Sequence, residues 1–251
     1  MTLSGGIFSE KEKESFYKVI FSRRDVRKNF VSKTISDEVI SKILLAAHHA
    51  PSVGYSQPWN FILIRDIDTR RHIRKSFIKE RLKSIEMISN DEERKNKYLN
   101  LKLEGILESD LNICVTYDNN RHGPFVIGRM TINEAGIYSV CCAVQNLWLA
   151  ARVENIGVGW VSIINNNDLA KILKLPSTIQ PIAYLCLGYT KGFDSRPDLE
   201  SAKWLHRIPL DKVVNFESWD NRHSLEGQWS KLKDILKNER ELQTGQTSPF
   251  T

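Results

Sequence analysis

The chain has 251 residues, 36 basic and 30 acidic for a formal charge of +6, with 41% hydrophobic and 26% charged side chains. That length and balance suit one folded domain with a sizeable core and exclude a disordered or fibrous polymer. The first ten residues lack a basic stretch followed by an apolar one, and no run approaches the roughly 18 apolar residues of a membrane helix, so a cytoplasmic protein without a membrane partner is expected.

Ser9 to Phe21 reads as an N-terminal helix, followed at once by the dense motif Arg23-Arg24-Asp25-Val26-Arg27. Ser36 is a suitable N-cap for a second helix, with Ile40, Ile43, Leu44 and Ala47 at helical spacing, and that helix must stop before Pro51. The stretch from Pro51 to Trp59 is rich in turn residues, and Asn60 to Ile64 is a compact strand. Residues 68–109 are charged and helical in composition, an excursion from the core whose apolar points are Met87 and the run Tyr98 to Leu101. The basic residues between Arg65 and Lys83 are interrupted by Asp66, Asp68 and Glu80 and lack interleaved aromatics, which reads as a solvated helix face rather than a nucleic-acid patch.

Leu111 to Tyr117 is a strand, and Asp118 to Pro124 is irregular. Ala135 to Ala151 is apolar around most of its circumference, which predicts a central buried helix. Gly157 to Ile163 and Ile182 to Tyr189 read as strands, with a short helix from Asn167 to Leu173 between them. Pro197 to Pro209 is irregular, and a charged arm from Ser224 to Leu242 sets Leu225, Trp229, Leu232 and Ile235 on one side. Cys114, Cys141, Cys142 and Cys186 sit in apolar stretches without zinc-site spacing, so buried, reduced thiols are expected. The organisation expected is a single domain over 1–251, with a lid-bearing excursion at about 68–109 and a C-terminal arm from about 216.

Three groups of residues could carry chemistry. The planar donor forks of Arg23, Arg24 and Arg27 suit a phosphate or an electron-rich ring carbonyl, although a solvated, salt-bridged loop has the same composition. Asp25 among them is expected to be held ionised by its neighbours. The loop with Ser52, Gly54, Ser56 and Gln57 can offer hydroxyls and amides to a flat heterocycle, or it can be a structural turn. In Gly159-Trp160-Val161-Ser162 the glycine allows close backbone approach and the serine supplies a hydroxyl. A serine nucleophile is disfavoured because G-x-S-x-G is absent, and no metal is expected because the six histidines lack ligand spacing. The glycine fingerprints of dinucleotide and P-loop sites are also missing.

Taken together, Arg23 to Arg27, Ala46 to Gly54, Ser56-Gln57-Pro58-Trp59, Arg121-His122-Gly123-Pro124, Ala143 to Ala151 and Gly157 to Ile163 resemble the pattern of the nitroreductase-like family over about residues 16–210. The Ser-Gln-Pro-Trp element is general to that family, whereas the Arg-Arg-Asp-Val-Arg and Gly-Trp-Val-Ser elements resemble its flavin-fragmenting branch, the 5,6-dimethylbenzimidazole synthases. The resemblance implies an α+β fold, a mostly antiparallel central sheet wrapped by helices, in a homodimer with two FMN sites at the interface. It implies that Arg23, Arg24, Asp25, Val26 and Arg27 line the flavin with Gly159, Trp160, Val161 and Ser162, and that Pro51, Ser52, Gly54, Tyr55, Ser56 and Gln57 reach it from the other subunit. Arg207 would be a further phosphate contact, and Met87 and Leu99 would sit on a lid over the ring.

The reaction implied is oxygen-dependent fragmentation of reduced FMN, substrate as well as cofactor, to 5,6-dimethylbenzimidazole, the lower base of cobalamin, and erythrose 4-phosphate. In it Ser162 hydrogen-bonds near the reacting ring edge and Asp25 moves protons while the ribityl carbon–carbon bond breaks. A separate NAD(P)H-dependent flavin reductase would supply reduced FMN. The competing readings are an NAD(P)H-dependent nitroreductase or flavin dehalogenase with an open pocket, and a non-catalytic FMN-binding protein. A nucleic-acid partner ranks below both.

Overall fold

Strands β1 (Trp59–Ile64), β2 (Leu111–Asp118), β3 (Ile156–Trp160) and β4 (Ile179–Tyr189) form one sheet in the order β1-β2-β4-β3, antiparallel throughout. The computed structural model describes residues 6–88, 90–221, 229, 231, 232, 235 and 236, and divides the chain into two units, Met1–Asp198 and Leu199–Thr251. The sheet belongs to the first unit, and its two faces follow from the period-2 pleat. Leu111, Ile113, Val115 and Tyr117 of β2 join Ala183, Leu185 and Leu187 of β4 in a core closed by α2 (Asp37–His48) and α5 (Ala135–Val153). The intervening Cys114, Tyr184 and Cys186 join Ile73 and Phe77 of α3 (Ile67–Met87) and Leu169 of α6 (Asn166–Ile172) in a second core. Because both faces are covered, β2 reads as a nearly continuous buried run rather than an alternating one.

The helix starts carry their own caps. Ser9 makes a reciprocal capping box with Glu12 at the head of α1 (Glu10–Ser22), the Ser36 side chain accepts from Val39 N–H, and Asp66 accepts from Thr69 N–H. The β2–β4 register slips between Val115 and Thr116, opposite Ala183 and Pro181, where proline has no N–H to give the ladder. Beyond α3 lies α4 (Glu92–Leu99), after which the chain returns through residues 101–110. Arg70, buried in α3, secures that return by donating to the carbonyls of Ile106 and Ser109.

Two expectations change. α5 is buried on the stripe Val140, Ala143, Val144, Leu147 and Ala151, but Tyr138, Cys141, Cys142 and Gln145 on its other side are exposed in the single chain. Only Cys114 and Cys186 are therefore buried thiols, because α5 packs one face on the sheet rather than running through the middle of the core. Burial pushes the Cys114 and Cys186 thiols up to about 12, which keeps them protonated and unreactive near neutral pH.

In the second unit Trp204 N–H bonds the Leu199 carbonyl, and the Phe216 and Trp229 rings stack with centroids 5.8 Å apart. Apart from positions 229, 231, 232, 235 and 236, the arm expected over Ser224 to Leu242 lies outside the described residues. No helix among the described residues is long and apolar enough to cross a membrane.

Candidate functional site

The arginine-rich motif leaves α1 in extended conformation and runs along the free edge of β3. Asp25 forms an isolated parallel bridge with Val158, and Val26 N–H donates to the Val158 carbonyl at 2.9 Å. Glycine is needed in β3 where it faces the motif, since a Cβ on Gly159 would stand 2.3 Å from the Val26 carbonyl oxygen. The close approach lets Trp160 N–H donate to Asp25 Oδ1 at 3.2 Å, which joins the first motif to the Gly-Trp-Val-Ser segment. Ser162 follows in irregular backbone with its residue exposed.

The three arginines divide the work. Arg23 lies over the Trp148 ring, 5.0 Å from its centroid, and Trp148 Nε1 donates to the Arg24 carbonyl at 3.2 Å. Arg24 directs its guanidinium at the backbone carbonyls of Phe21, Arg23, Asp194 and Ser195, which pins residues 194–195 beside the motif. Arg27 pairs with Asp25 Oδ2, while its buried Nε has no hydrogen-bond partner. A buried guanidinium N–H left without an acceptor is costly, and a ligand oxygen or ring nitrogen would satisfy it.

Asp25 does not follow the expectation from charge alone. Burial outweighs the lowering by Arg27, by the Trp160 N–H and by Arg23, and with a smaller upward push from Asp198 it raises the carboxyl above its ordinary value. The site therefore holds a carboxyl group nearer to proton exchange at neutral pH than a solvated aspartate would be. Behind it, Lys28 Nζ pairs with Asp198 at 3.0 Å and Asp194 at 3.3 Å.

The second loop is built separately. Gly54, at φ +55°, and Tyr55, at φ +53°, turn the chain through a 3-10 segment, Val53 N–H donates to Ser139 Oγ of α5 at 3.0 Å, and Ser52 Oγ accepts from Gln57 N–H at 3.0 Å. A Cβ on Gly54 would meet the Val126 side chain at 2.6 Å, so the turn rests on residues 126–128. Among the described residues no hydrogen bond or ion pair joins residues 51–57 to Asp25, Arg27 or Ser162 within one chain.

Residues 20–189 match the family model described as the nitroreductase family. The chain belongs to the nitroreductase family. Among its relatives, the 5,6-dimethylbenzimidazole synthase of Rhodospirillum rubrum is 35% identical over 206 residues, covering 82% of this chain and 96% of the relative. The nitroreductase fold is also that of a BluB-like flavoprotein from Clostridium difficile 630, with TM-score 0.60 and 22% identity over 80% of this chain and 98% of that one. An iodotyrosine deiodinase structure bound to FMN and 3-iodo-L-tyrosine superposes with TM-score 0.60 at 20% identity, covering 71% of this chain and 91% of that one.

Within this nitroreductase-family fold, Arg23, Asp25, Val26, Arg27, Gly159, Trp160 and Val161 come together at the β3 edge, with Ser162 next in the chain. Met87 and Leu99 are exposed near the outer ends of α3 and α4, and Arg207 belongs to the second unit. Sequence reasoning missed Trp148, Lys28, Asp194 and Asp198. Lys28 adjoins the arginine motif and could have been suspected, whereas Asp194 lies in an irregular stretch and Asp198 opens the short helix Asp198–Ser201, and neither local pattern gives a sign of the motif it meets. No cluster of three or more His, Cys, Asp or Glu side chains able to hold a metal ion occurs among the described residues.

Proposed function

We propose that this oxidoreductase fragments reduced FMN with molecular oxygen, yielding 5,6-dimethylbenzimidazole and erythrose 4-phosphate for the lower ligand of cobalamin. The observation that carries the reading is the Asp25–Arg27 pair at the β3 edge, where a carboxyl raised by burial adjoins a guanidinium Nε in need of an acceptor. Hydride exchange between a nicotinamide and a flavin needs no carboxylate base, but cleaving a ribityl carbon–carbon bond requires proton removal from a hydroxyl, which is work for a base such as Asp25. The 35% identity to the synthase of Rhodospirillum rubrum supports the same choice.

In this reading Arg27 offers Nε to the ring edge, Arg23 faces the phosphate or ribityl side, and Arg24 keeps the neighbouring 194–195 backbone in place. Gly159 to Val161 provide the close backbone wall, and the Ser162 hydroxyl hydrogen-bonds near the reacting edge. When bound, reduced FMN supplies the electrons taken by oxygen and the carbon skeleton of the product. Met87 and Leu99 would close over the ring and exclude water.

The site is completed by a second copy of the chain. Tyr55, Phe125, Ile127, Met130 and Tyr138 are large apolar side chains left exposed around the 51–57 loop, Ile127 at 74%, and such a face suits burial in a homodimer. A separate NAD(P)H-dependent reductase would deliver reduced FMN. The second reading is an NAD(P)H-dependent nitroreductase, an activity of the same family and fold.

The deciding experiment loads the purified protein anaerobically with chemically reduced FMN, admits air and analyses the products by mass spectrometry. Release of 5,6-dimethylbenzimidazole, lost in Asp25→Asn and Ser162→Gly, is the expected result. Return of oxidised FMN and hydrogen peroxide alone, with bound FMN reduced by NAD(P)H, would establish the nitroreductase reading instead.

A further inference from the structure

The buried stripe of α3 includes Ile73, Ser76 and Phe77. Ile73 and Phe77 pack in the second core with Val161 and Leu169, on either side of the Ser162 loop. Ser76 is a polar member of that stripe beside the buried Arg70, 5% exposed, and its Oγ donates to Asp168 Oδ2 at 2.7 Å while accepting from Asn165 N–H at 3.4 Å. Asn165 in turn caps α6, its Oδ1 accepting from the N–H groups of Asn167 at 2.9 Å and Asp168 at 3.3 Å.

Residues 161–165 are held at both ends. Val161 N–H donates to the Tyr184 carbonyl of β4 at 2.9 Å, whereas Asn165 is tied through Ser76 to α3, beside Asn166, whose Nδ2 donates to the Pro181 carbonyl of β4 at 3.3 Å. Ser162 stands between the two anchors. Were Ser76 only a filler, alanine would serve a helix interior better, since serine there has weaker helix propensity and must satisfy its hydroxyl. Its bond to a carboxylate is half-buried between α3 and α6.

We infer that Ser76 is a positioning residue for Ser162, carrying the placement of α3 to the loop that presents the Ser162 hydroxyl. The inference rests on the proposed role of Ser162.

Hydrogen exchange on the full chain without flavin tests the latch directly. Ser76→Ala should speed amide exchange at residues 162–165 about tenfold, the effect of losing buried hydrogen bonds in one local unit, while amides of β2 and β4 keep their rates. Ser76→Thr, which retains the hydroxyl, should restore protection. Asp168→Ala removes the acceptor of the same bond from α6 without altering the α3 stripe, and it should reproduce the change if Ser76→Ala fails to fold. In protein loaded with reduced FMN, either disruptive variant should lower the fraction of consumed oxygen recovered as 5,6-dimethylbenzimidazole and raise hydrogen peroxide, with FMN affinity unchanged. Unaltered exchange at residues 162–165, or faster exchange with an unaltered product fraction, would overturn the inference. If the wild type itself yields no benzimidazole, the proposed function fails and the exchange arm alone decides the latch.

Discussion

At Asp25, opposing forces meet on one carboxyl group. Arg27 and the Trp160 N–H favour its anion, yet burial prevails and raises it, so in the folded chain Asp25 keeps its proton to a higher pH than it does when unfolded. Between the ordinary carboxylate value and the raised one, the native state binds more protons than the unfolded state. The stabilisation from this group is therefore complete below the ordinary carboxylate value of 3.8 and is lost as pH rises through the raised folded value. Asp25→Asn removes that dependence. Urea unfolding of both proteins from pH 3.5 to pH 7.5 should show the wild type gaining stability relative to the variant on the acid side, and a difference that is flat with pH would show that burial does not dominate Asp25. Gly159 sets the complementary steric limit. A methyl there meets the Val26 carbonyl oxygen, a backbone atom that can yield only by displacing the arginine motif. Gly159→Ala should lose roughly 1–3 kcal/mol, the usual range for overpacking, and should weaken FMN binding in a fluorescence titration. Unchanged affinity would place the flavin away from the β3 edge.

At the scale of the element, Arg70 shows how the excursion is tied back to the sheet. Its guanidinium is buried in α3 and spans to the carbonyls of Ile106 and Ser109, which precede β2. Arg70→Ala should cost about 3 kcal/mol in urea unfolding, because buried acceptors are left unpaired at roughly 1–3 kcal/mol each; a loss below about 1 kcal/mol would mean that water reaches those carbonyls. Such a tie is invisible in the sequence, where Arg70 looks like one more charge on a solvated face. What was legible is what local chemistry governs. Ser36 and the apolar spacing after it define α2, Pro51 ends the helical stretch, and the apolar runs at 60–64, 111–117 and 182–189 lie within β1, β2 and β4. In α5 periodicity cannot separate a face packed on the sheet from an apolar face left exposed in the single chain, so the pattern alone does not tell Cys141 and Cys142 from buried thiols. The arginine motif was recognisable as a unit, but the division of labour inside it was not. Arg24 meets carbonyls 170 and 171 residues away, and the raised carboxyl of Asp25 depends on tertiary burial rather than on the charges beside it.

For the molecule as a whole, the proposed chemistry calls for an assembly, because among the described residues no hydrogen bond or ion pair joins the two halves of the expected flavin site within one chain. The Asp25–Arg27 pair sits at the β3 edge, whereas residues 51–57 rest on α5 and residues 126–128. Around the latter, Phe125, Ile127 and Met130 are each at least 70% exposed, an apolar face that costs solubility unless it is covered. A second copy laid on that face would bury it and bring residues 51–57 to the partner's β3 edge. Light scattering should then give twice the chain mass for the wild type. Ile127→Asp places a charge in the middle of the covered face without touching Asp25, Arg27 or Ser162, so it should shift the protein to single chains and weaken FMN affinity by at least about tenfold, the 1.4 kcal/mol or more expected when part of a binding site is removed. A dimer that persists in Ile127→Asp would place the interface elsewhere. Single chains that bind FMN with full affinity would show that each subunit holds the flavin without help from residues 51–57 of its neighbour.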